Sequence, residues 1–485
     1  MTRNVVLVQP KVGDMDLFRD RPTPPLGLLS AASGLGPEVE VRLVDQRVDK
    51  DWRGRLASAL DSGTAAVGLT AMTGRMVGYA LEAAQEVRRL RPVPLVWGGI
   101  HPSLLPDQTA EHPCVDYVVE GEGERAFAQL VARLAAGAPA DDIPGVWSKP
   151  DGRVRGVRRA DLLDLDTLPP LPYDLVDMER YIQTYRGRRM FFYQSSRGCP
   201  CRCAYCYNRA FNLGRWRARA AGRVVAELAA LRQRYDFSLV YFLDDNFFID
   251  QARALRILSG LKDLGLRSSL QGVDIETLAR LSDADLDAIE ASGVERITIG
   301  LESGVDRVRR DVLKKSGDLG LARRQLARFR GRRIVVLCSF VLGLPSEDFA
   351  EMRQTMDFAM EMLRLGDNFR LPQFYNYSPY PGTELYAALE AQGFRFPRRL
   401  EDWGDYEWDY SHMHRDQPEL RDALERMCFL SKFLDRKVDD YEMLGGGLRA
   451  LYNLYRPIAR ERLRRGLLRP LPERFCYELL KGLFS

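Results

Sequence analysis

The chain has 485 residues, 46% of them hydrophobic and 28% charged, a composition that excludes a disordered or fibrous protein. It is too long for one compact core, since domains usually take about 100 to 200 residues each. Its 71 basic and 67 acidic residues leave a formal charge of only +4, which gives no argument for nucleic-acid binding along the whole chain.

The N-terminus, Met1 to Pro10, reads as a strand and lacks the basic and apolar segments of a secretory signal. The longest apolar run, around Ile334 to Pro345, falls short of the roughly 20 residues needed to span a bilayer. A soluble, cytoplasmic protein is the expectation.

Residues 1–140 alternate short apolar runs with amphipathic stretches, the pattern of parallel strands joined by crossover helices. The predicted strands are Val5 to Gln9, Val39 to Asp45, Ala65 to Ala71, Pro94 to Gly98 and Asp116 to Glu120, with helices such as Arg75 to Leu90 between them. This is an α/β, doubly wound, Rossmann-like or flavodoxin-like sheet, in which a ligand binds beyond the carboxyl ends of the strands. Those ends carry Thr70-Ala71-Met72-Thr73, Gly98-Gly99-Ile100-His101-Pro102 and Gly121-Glu122-Gly123-Glu124, where small residues let backbone approach a large flat ligand.

Residues 141–189 are rich in Pro, Asp and Arg with little periodicity and read as a connecting segment. A second alternating series occupies residues 190–393, with strands predicted at Met190 to Ser196, Leu239 to Asp244, Ser268 to Val273, Arg296 to Leu301, Ile334 to Leu342 and Gln373 to Ser378. Six strand-helix units are fewer than the eight of a closed barrel and predict an open, partial (β/α)6 TIM-type barrel with its site at the strand C-termini. Residues 394–485 read as a smaller, mainly helical C-terminal region with a break at Gly445-Gly446-Gly447. Its tail, Leu448 to Ser485, carries nine Lys or Arg against three Glu among Leu, Phe and Tyr. Two readings fit that tail: an amphipathic helix packed on the barrel, or attachment to an anionic membrane surface, which would suit a lipid substrate.

Four of the eight cysteines lie between Cys199 and Cys206, too close for most pairings to avoid a strained disulfide. In a reducing compartment such a group reads as a metal or redox site. The remaining four, Cys114, Cys338, Cys428 and Cys476, sit among apolar neighbours and read as small buried hydrophobes. The segment Ser195-Ser196-Arg197-Gly198-Cys199-Pro200-Cys201-Arg202-Cys203-Ala204-Tyr205-Cys206 directly follows the first barrel strand. Three thiolates on one short loop can each bind one iron of a cubane and leave the fourth iron open. The alternative is a zinc knuckle closed by all four cysteines.

The spacing CxxxCxxC with Tyr205 before the last cysteine resembles the signature of the radical S-adenosylmethionine (SAM) superfamily. The resemblance implies a [4Fe-4S] cluster on Cys199, Cys203 and Cys206, with SAM chelated at the open iron and cleaved to a 5'-deoxyadenosyl radical. Cys201 lies inside the motif where the family tolerates many residues; a bystander thiol and an exchanged ligand both remain open. Further segments resemble the family's SAM contacts in chain order. Leu243-Asp244-Asp245-Asn246 ends the second strand, where relatives receive the SAM amino group. Gly300-Leu301-Glu302-Ser303 ends the fourth, with Glu302 implied at the ribose, and Leu342-Gly343-Leu344-Pro345 ends the fifth, implied at the adenine. Local alternatives exist, since Asp244 and Asp245 could cap a helix and Glu302 could pair with an arginine.

The front domain is similar to the cobalamin-binding domains that precede many radical SAM barrels, through Trp97-Gly98-Gly99-Ile100-His101-Pro102-Ser103 and Asp116-Tyr117-Val118-Val119-Glu120-Gly121-Glu122. The resemblance implies cobalamin contacts at Thr70, Met72, Thr73, Gly98, Gly99, His101, Glu120 and Gly121. The DxHxxG motif that supplies a histidine below cobalt is missing, because Gln9-Pro10-Lys11-Val12-Gly13-Asp14 contains none. Cobalt without a protein imidazole is more easily reduced to a nucleophile, which suits methyl transfer. His101 reads either as a ligand or as a histidine bonded to backbone.

Within this architecture the expected activity is C-methylation of an unactivated carbon, with one SAM remethylating cobalamin and a second supplying the radical. Ring closure or rearrangement, as in the anaerobic magnesium-protoporphyrin ester cyclase, is the alternative. A tRNA methylthiotransferase would need three more cysteines before the barrel, where only Cys114 stands, and a non-catalytic cobalamin module would not need the intact cysteine motif. The implied partners are a small-molecule substrate, such as a lipid or natural-product intermediate, and an electron donor such as flavodoxin or ferredoxin.

Overall fold

The computed structural model describes residues 3–13, 16, 21–159, 161–406, 412–435 and 446–469. They form two compact units, one comprising residues 1–181, 210–213 and 380–407, the other residues 182–209, 214–379 and 408–485.

The first unit is built on a seven-stranded sheet of β1 (Arg3–Gln9), β2 (Val39–Asp45), β3 (Thr64–Thr70), β4 (Leu95–Gly98), β5 (Tyr117–Val119), β6 (Val146–Ser148) and β7 (Arg155–Gly156), in the order β2-β1-β3-β4-β5-β6-β7. The first five are parallel, and the 2-1-3-4-5 order is that of a doubly wound, flavodoxin-like sheet. Because helices cover both faces, the central strands are nearly uniform apolar runs: Val5, Val6, Leu7 and Val8 are all buried. The helix Arg75–Leu90 turns Met76, Val77, Ala80, Ala83, Ala84 and Val87 inward at helical spacing and keeps Arg88 and Arg89 at its carboxyl end, where the helix dipole favours cations.

Residues 141–181 are more than a connector. Val146–Ser148 pairs antiparallel with β5, and Arg155–Gly156 with β6, so the segment completes the sheet. Strands of three and two residues are too short to show alternation in sequence. Residues 380–407, read from the sequence as barrel and C-terminal region, belong to this first unit. The Trp403 indole, fully buried, donates to Gln108 Oε1 at 2.6 Å and stands edge-on to His101.

The second unit carries β8 (Gln183–Tyr185), β9 (Arg188–Tyr193), β12 (Leu239–Phe242), β13 (Arg267–Val273), β14 (Val294–Glu302), β15 (Val335–Leu342) and β16 (Phe369–Arg370), paired in the order β16-β15-β14-β13-β12-β9-β8, with β17 (Phe374–Asn376) also on β15. All are parallel except β8, which pairs antiparallel with β9, and the sheet stays open as expected of a partial barrel. A short ribbon, β10 (Ser196–Arg197) with β11 (Arg217–Ala218), carries the chain from β9 into the cysteine loop. Stacked Phe191 and Phe237, with ring centres 4.7 Å apart, fill the core behind β9, where each buried aromatic side chain is worth about 2 to 3 kcal/mol.

The described C-terminal residues form no third unit. The helix Pro418–Ser431 joins the barrel through Ser431 Oγ, which accepts the Phe374 amide at 2.8 Å, and Asp435 accepts the Leu371 amide at 3.0 Å. A further helix, Gly446–Arg465, starts inside the predicted glycine break, buries Ala459 and Leu463, and leaves Leu454 and Ile458 exposed. Residue Gly445, the tail 470–485 with Cys476, and Asp14 of the loop after β1 lie outside the described residues. Among the described residues no helix is long and apolar enough to cross a membrane.

Candidate functional site

In the second unit, the cysteine loop leaves β9 and is fixed by two neighbouring aspartates that end β12. Asp244 is fully buried. Its Oδ1 accepts the Ser195 amide at 2.7 Å, and its Oδ2 accepts the hydroxyls of Ser195 at 2.5 Å and Ser196 at 2.6 Å. Arg253 completes the knot, donating to the Ser195 carbonyl and hydroxyl at 2.9 Å each and to the Arg219 carbonyl at 2.7 Å. Burial raises the Asp244 carboxyl above its ordinary range, and the serine hydroxyls and amide pull it back down.

Asp245 spans the loop itself. One oxygen accepts the amide of Gly198, just before the first cysteine, at 2.7 Å, and the other accepts the Asn208 side-chain amide, just after the last, at 2.8 Å. The ends of the loop are therefore held by a single carboxylate. The close approach of this turn requires Gly272 on β13, at φ +66°, where a Cβ would lie 2.3 Å from the Asp244 carbonyl and 2.4 Å from that of Asp245.

Neither aspartate is thus arranged as a free SAM contact, which corrects the assignment by resemblance: both act by positioning the cysteines. Asn246 differs. It is buried, its Nδ2 lies 3.9 Å from Cys199 Sγ, and its Oδ1 has no hydrogen-bond partner among the described residues. A buried amide left unsatisfied costs about 1 to 3 kcal/mol, so this carbonyl is the group at the strand end that a ligand would satisfy.

Within the loop, Cys203 is buried and Cys199, Cys201 and Cys206 are partly so. The Cys201 thiol donates to Cys199 and holds the Cys199 thiol down to about 7, while burial pushes Cys206 up to about 12 and raises Cys203. Among the described residues no three His, Cys, Asp or Glu side chains converge to hold one metal ion. A tetrahedral zinc requires such convergence, whereas each thiolate of a cubane takes its own iron. Three cysteines on one stapled loop, with a buried amide beside the first, fit a cluster with one open iron.

Glu302 ends β14 at φ +66°, a left-handed backbone that a side chain adopts at a cost of about 1 to 2 kcal/mol. The register of β14 against β15 slips between Gly300 and Glu302. Gly300 leaves room for the glutamate to fold back over it, since a Cβ there would lie 2.2 Å from Glu302 Oε1 and displace the carboxylate. The strained turn aims the carboxylate at the Tyr205 hydroxyl, which donates at 2.9 Å, so the aromatic residue of the cysteine motif and the glutamate are one pair. Burial raises the Glu302 carboxyl, and Lys315 opposes that rise.

Lys315 and Asp274 escaped sequence reasoning. The side chains are 6% and 9% exposed and meet at 3.2 Å, and the Lys315 charge faces Cys203 and Glu302. The only sequence signal was the place of Asp274 directly after β13.

Ser303 corrects another expectation. It is fully buried, with Oγ 3.2 Å from Thr355 Oγ1 and accepting the Val305 amide at 3.2 Å, so it shapes the turn after Glu302. Gly343, at φ +76°, gives its amide to Glu347 Oε2 at 2.9 Å, and burial raises the Glu347 carboxyl to about 7.

In the first unit the expected ligand loops lie at the ends of β3, β4 and β5. Gly99, at φ +93°, leaves no room for a Cβ, which would sit 2.5 Å from Thr70 Oγ1. Ser103 ties the ends of β4 and β5 together, donating to the Gly99 carbonyl at 2.6 Å and accepting the Gly121 amide at 2.8 Å. A Cβ at Gly98 would meet only the Val119 carbonyl, at 3.8 Å, and Met72 stands 40% exposed beyond β3, leaving an apolar side chain and bare backbone for a flat ligand. Glu120 is engaged by Trp147 Nε1 at 2.9 Å and by Arg158 at 3.2 Å, so its carboxylate serves the sheet edge.

His101 is held on one side of its ring: it is fully buried, Nδ1 lies 2.9 Å from Thr73 Oγ1, the ring packs edge-on against Trp403, and burial pushes its pKa down to about 3, while Nε2 has no hydrogen-bond partner among the described residues. The Thr73 hydroxyl is likewise spent on the histidine. His101→Gln is expected to leave the visible spectrum of bound cobalamin unchanged; an altered cobalt coordination in that spectrum would give it the ligand role.

Comparison with known proteins agrees with these two sites. The radical SAM superfamily model matches residues 193–359 and the B12 binding domain model residues 19–131. An uncharacterised methyltransferase of Pyrococcus horikoshii is 30% identical over 384 residues, covering 75% of this chain and 78% of the relative. The anaerobic magnesium-protoporphyrin IX monomethyl ester cyclase of Synechocystis is 27% identical, over 67% of this chain and 62% of its own length. A solved structure of the radical SAM methyltransferase TsrM from Kitasatospora setae, with tryptophan substrate and a SAM analogue bound, shares the fold. It has TM-score 0.67 and 21% identity, over 81% of this chain and 77% of that one. The chain belongs to the radical SAM superfamily, among the enzymes that carry a B12-binding domain ahead of the radical SAM domain and work with a [4Fe-4S] cluster, SAM and cobalamin.

Proposed function

We propose that the protein is a cobalamin-dependent radical SAM methyltransferase that methylates an unactivated carbon of a small molecule. The observation that carries the reading is the pairing, in one chain 30% identical to a methyltransferase, of a stapled three-cysteine loop with a flavodoxin-like sheet whose first strand is followed by a segment, Gln9 to Asp14, without histidine. When bound, the cluster and SAM supply a radical that removes hydrogen from the substrate, and cobalamin supplies the methyl group.

The chain's own residues hold and orient these groups. Cys199, Cys203 and Cys206 would hold three irons of the cluster, on a loop whose two ends Asp245 fixes. The Asn246 carbonyl would accept the SAM ammonium, and Glu302, preset by Tyr205, would accept the ribose hydroxyls. Gly343, whose Cα side is packed against Leu424 and His414, stands near the adenine by resemblance alone. Thr70, Met72, Gly98, Gly99 and Gly121 form the bed for cobalamin. A one-electron donor of the flavodoxin or ferredoxin type reduces the cluster.

Reconstituted enzyme given SAM with a deuterated methyl group and a candidate substrate is expected to yield a product heavier by the labelled methyl. A product without label, formed together with 5'-deoxyadenosine, would replace methylation with cyclisation or rearrangement.

A further inference from the structure

We infer that Arg296, on the inner face of the second unit's sheet, binds an anionic end of the substrate, a carboxylate or a phosphate. This rests on the methyltransferase reading for what the bound molecule is, and names its chemical class.

Phe340 meets Phe358 of the helix Phe349–Leu363, so Cys338, Phe340 and Leu342 face the helices and Leu337, Ser339 and Val341 face away from them. The register sets Thr298 beside Leu337 and Gly300 beside Ser339, which places Arg296, Thr298 and Gly300 of β14 on the same inner side. Parallel sheets are ordinarily covered on both faces. Here Ile297, Ile299 and Leu301, which point outward, are fully buried, whereas the inward residues of both strands are partly exposed. The protein leaves its inner face incompletely filled.

Three neighbours fix Arg296 in that space. Its Nε donates to Ser269 Oγ at 3.0 Å, and the guanidinium lies 4.7 Å from the ring centre of Tyr185 and 5.0 Å from that of Tyr241. Aromatic faces hold a guanidinium by cation–π attraction without neutralising it. Glu295, the adjacent carboxylate, lies on the other side of the strand and is held by Arg188 at 2.7 Å. Among the described residues Arg296 has no ion pair, and its two terminal nitrogens have no acceptor. Two parallel N–H groups on a rigid plane match a carboxylate or a phosphate bidentately.

The guanidinium and the proposed SAM contacts share this face. Gly300 is four residues from Arg296, about 13 Å along a strand, and the Glu302 carboxylate, bonded to Tyr205, folds back over Gly300. A small molecule with its anionic end on Arg296 therefore extends toward the residues assigned to the ribose.

The reconstituted holoenzyme is compared with two variants. Arg296→Gln removes the charge, and Thr298→Glu keeps the arginine and its stacking but sets a carboxylate two residues along the same face. In the first arm, binding of benzoate and of its neutral isostere benzamide to the resting protein is measured by ligand-observed NMR. The parent is expected to bind benzoate about tenfold more tightly than benzamide, since the amide cannot form the charge-assisted pair, and both variants are expected to lose that preference. In the second arm, SAM with a deuterated methyl group is incubated with a small-molecule extract of the native organism divided on an anion exchanger. Labelled product is expected from the retained fraction, and about tenfold less of it from Arg296→Gln, whose cluster spectrum and 5'-deoxyadenosine formation match those of the parent.

An equal preference for benzoate in the parent and in Arg296→Gln would overturn the inference, as would labelled product from the unretained fraction alone. Loss of the cluster spectrum in both variants would make Arg296 a structural residue and overturn it too. Displacement of benzoate by SAM alone would give the guanidinium to the SAM carboxylate instead of the substrate. A parent that prefers benzoate, yet forms 5'-deoxyadenosine and no labelled product from either fraction, would strike the methyltransferase reading and leave the anion site standing.

Discussion

Changing any one of Cys199, Cys203 or Cys206 to alanine is expected to abolish the cubane spectrum and SAM cleavage, while Cys201→Ala keeps both. The asymmetry follows from the loop. Cys199, Cys203 and Cys206 occupy the spacing that places one thiolate on each of three irons, whereas Cys201 lies between two of them and hydrogen-bonds to Cys199. Loss of one thiolate removes an iron ligand for which the loop, pinned at Gly198 and Asn208, has no substitute. Iron and sulfide analysis of anaerobically reconstituted variants, with spectroscopy, is the measurement. Retention of a cubane in the triple alanine variant would overturn the site, and stoichiometric zinc with loss on Cys201→Ala would convert it to a zinc knuckle.

The second large effect is expected at a residue that touches no cofactor. Asp244→Ala leaves the Ser195 amide, two serine hydroxyls and the Arg253 guanidinium in a buried space without their common acceptor. Removing one member of a buried charged network costs about 3 to 5 kcal/mol, so the variant is expected to unfold at markedly lower denaturant and to lose cluster occupancy. Asp244→Asn keeps an acceptor for the Ser195 amide and is expected to lose only part of this. Denaturant unfolding of the apo-proteins gives the ranking; equal stability of parent and Asp244→Ala would show that the knot carries no load.

The cysteine motif was legible because a covalent loop of eight residues restricts what its side chains can reach. The Gly300-Leu301-Glu302 segment was legible for a related reason: Glu302 folds back over Gly300, two residues away, so the requirement for glycine is written locally. Asp244, Asp245 and Asn246 were marked as a group, yet their roles could not be separated, since what distinguishes them are partners some 37 to 49 residues earlier in the chain. His101 was ambiguous in the same way. Its surroundings come from Thr73 and from Trp403, three hundred residues away in sequence.

By itself the sequence determined the order of apolar runs, and with it two parallel sheets, the thiol spacing, and the lack of a histidine after the first strand. These depend on periodicity and short-range covalent geometry. The tertiary structure alone decided that residues 146–156 and 380–407 complete the first unit, that Lys315 and Asp274 lie behind the cysteine loop, and that Asn246 keeps a free carbonyl there. Hydrogen-bond satisfaction and burial are set by whichever distant segments pack together, and no local pattern records them.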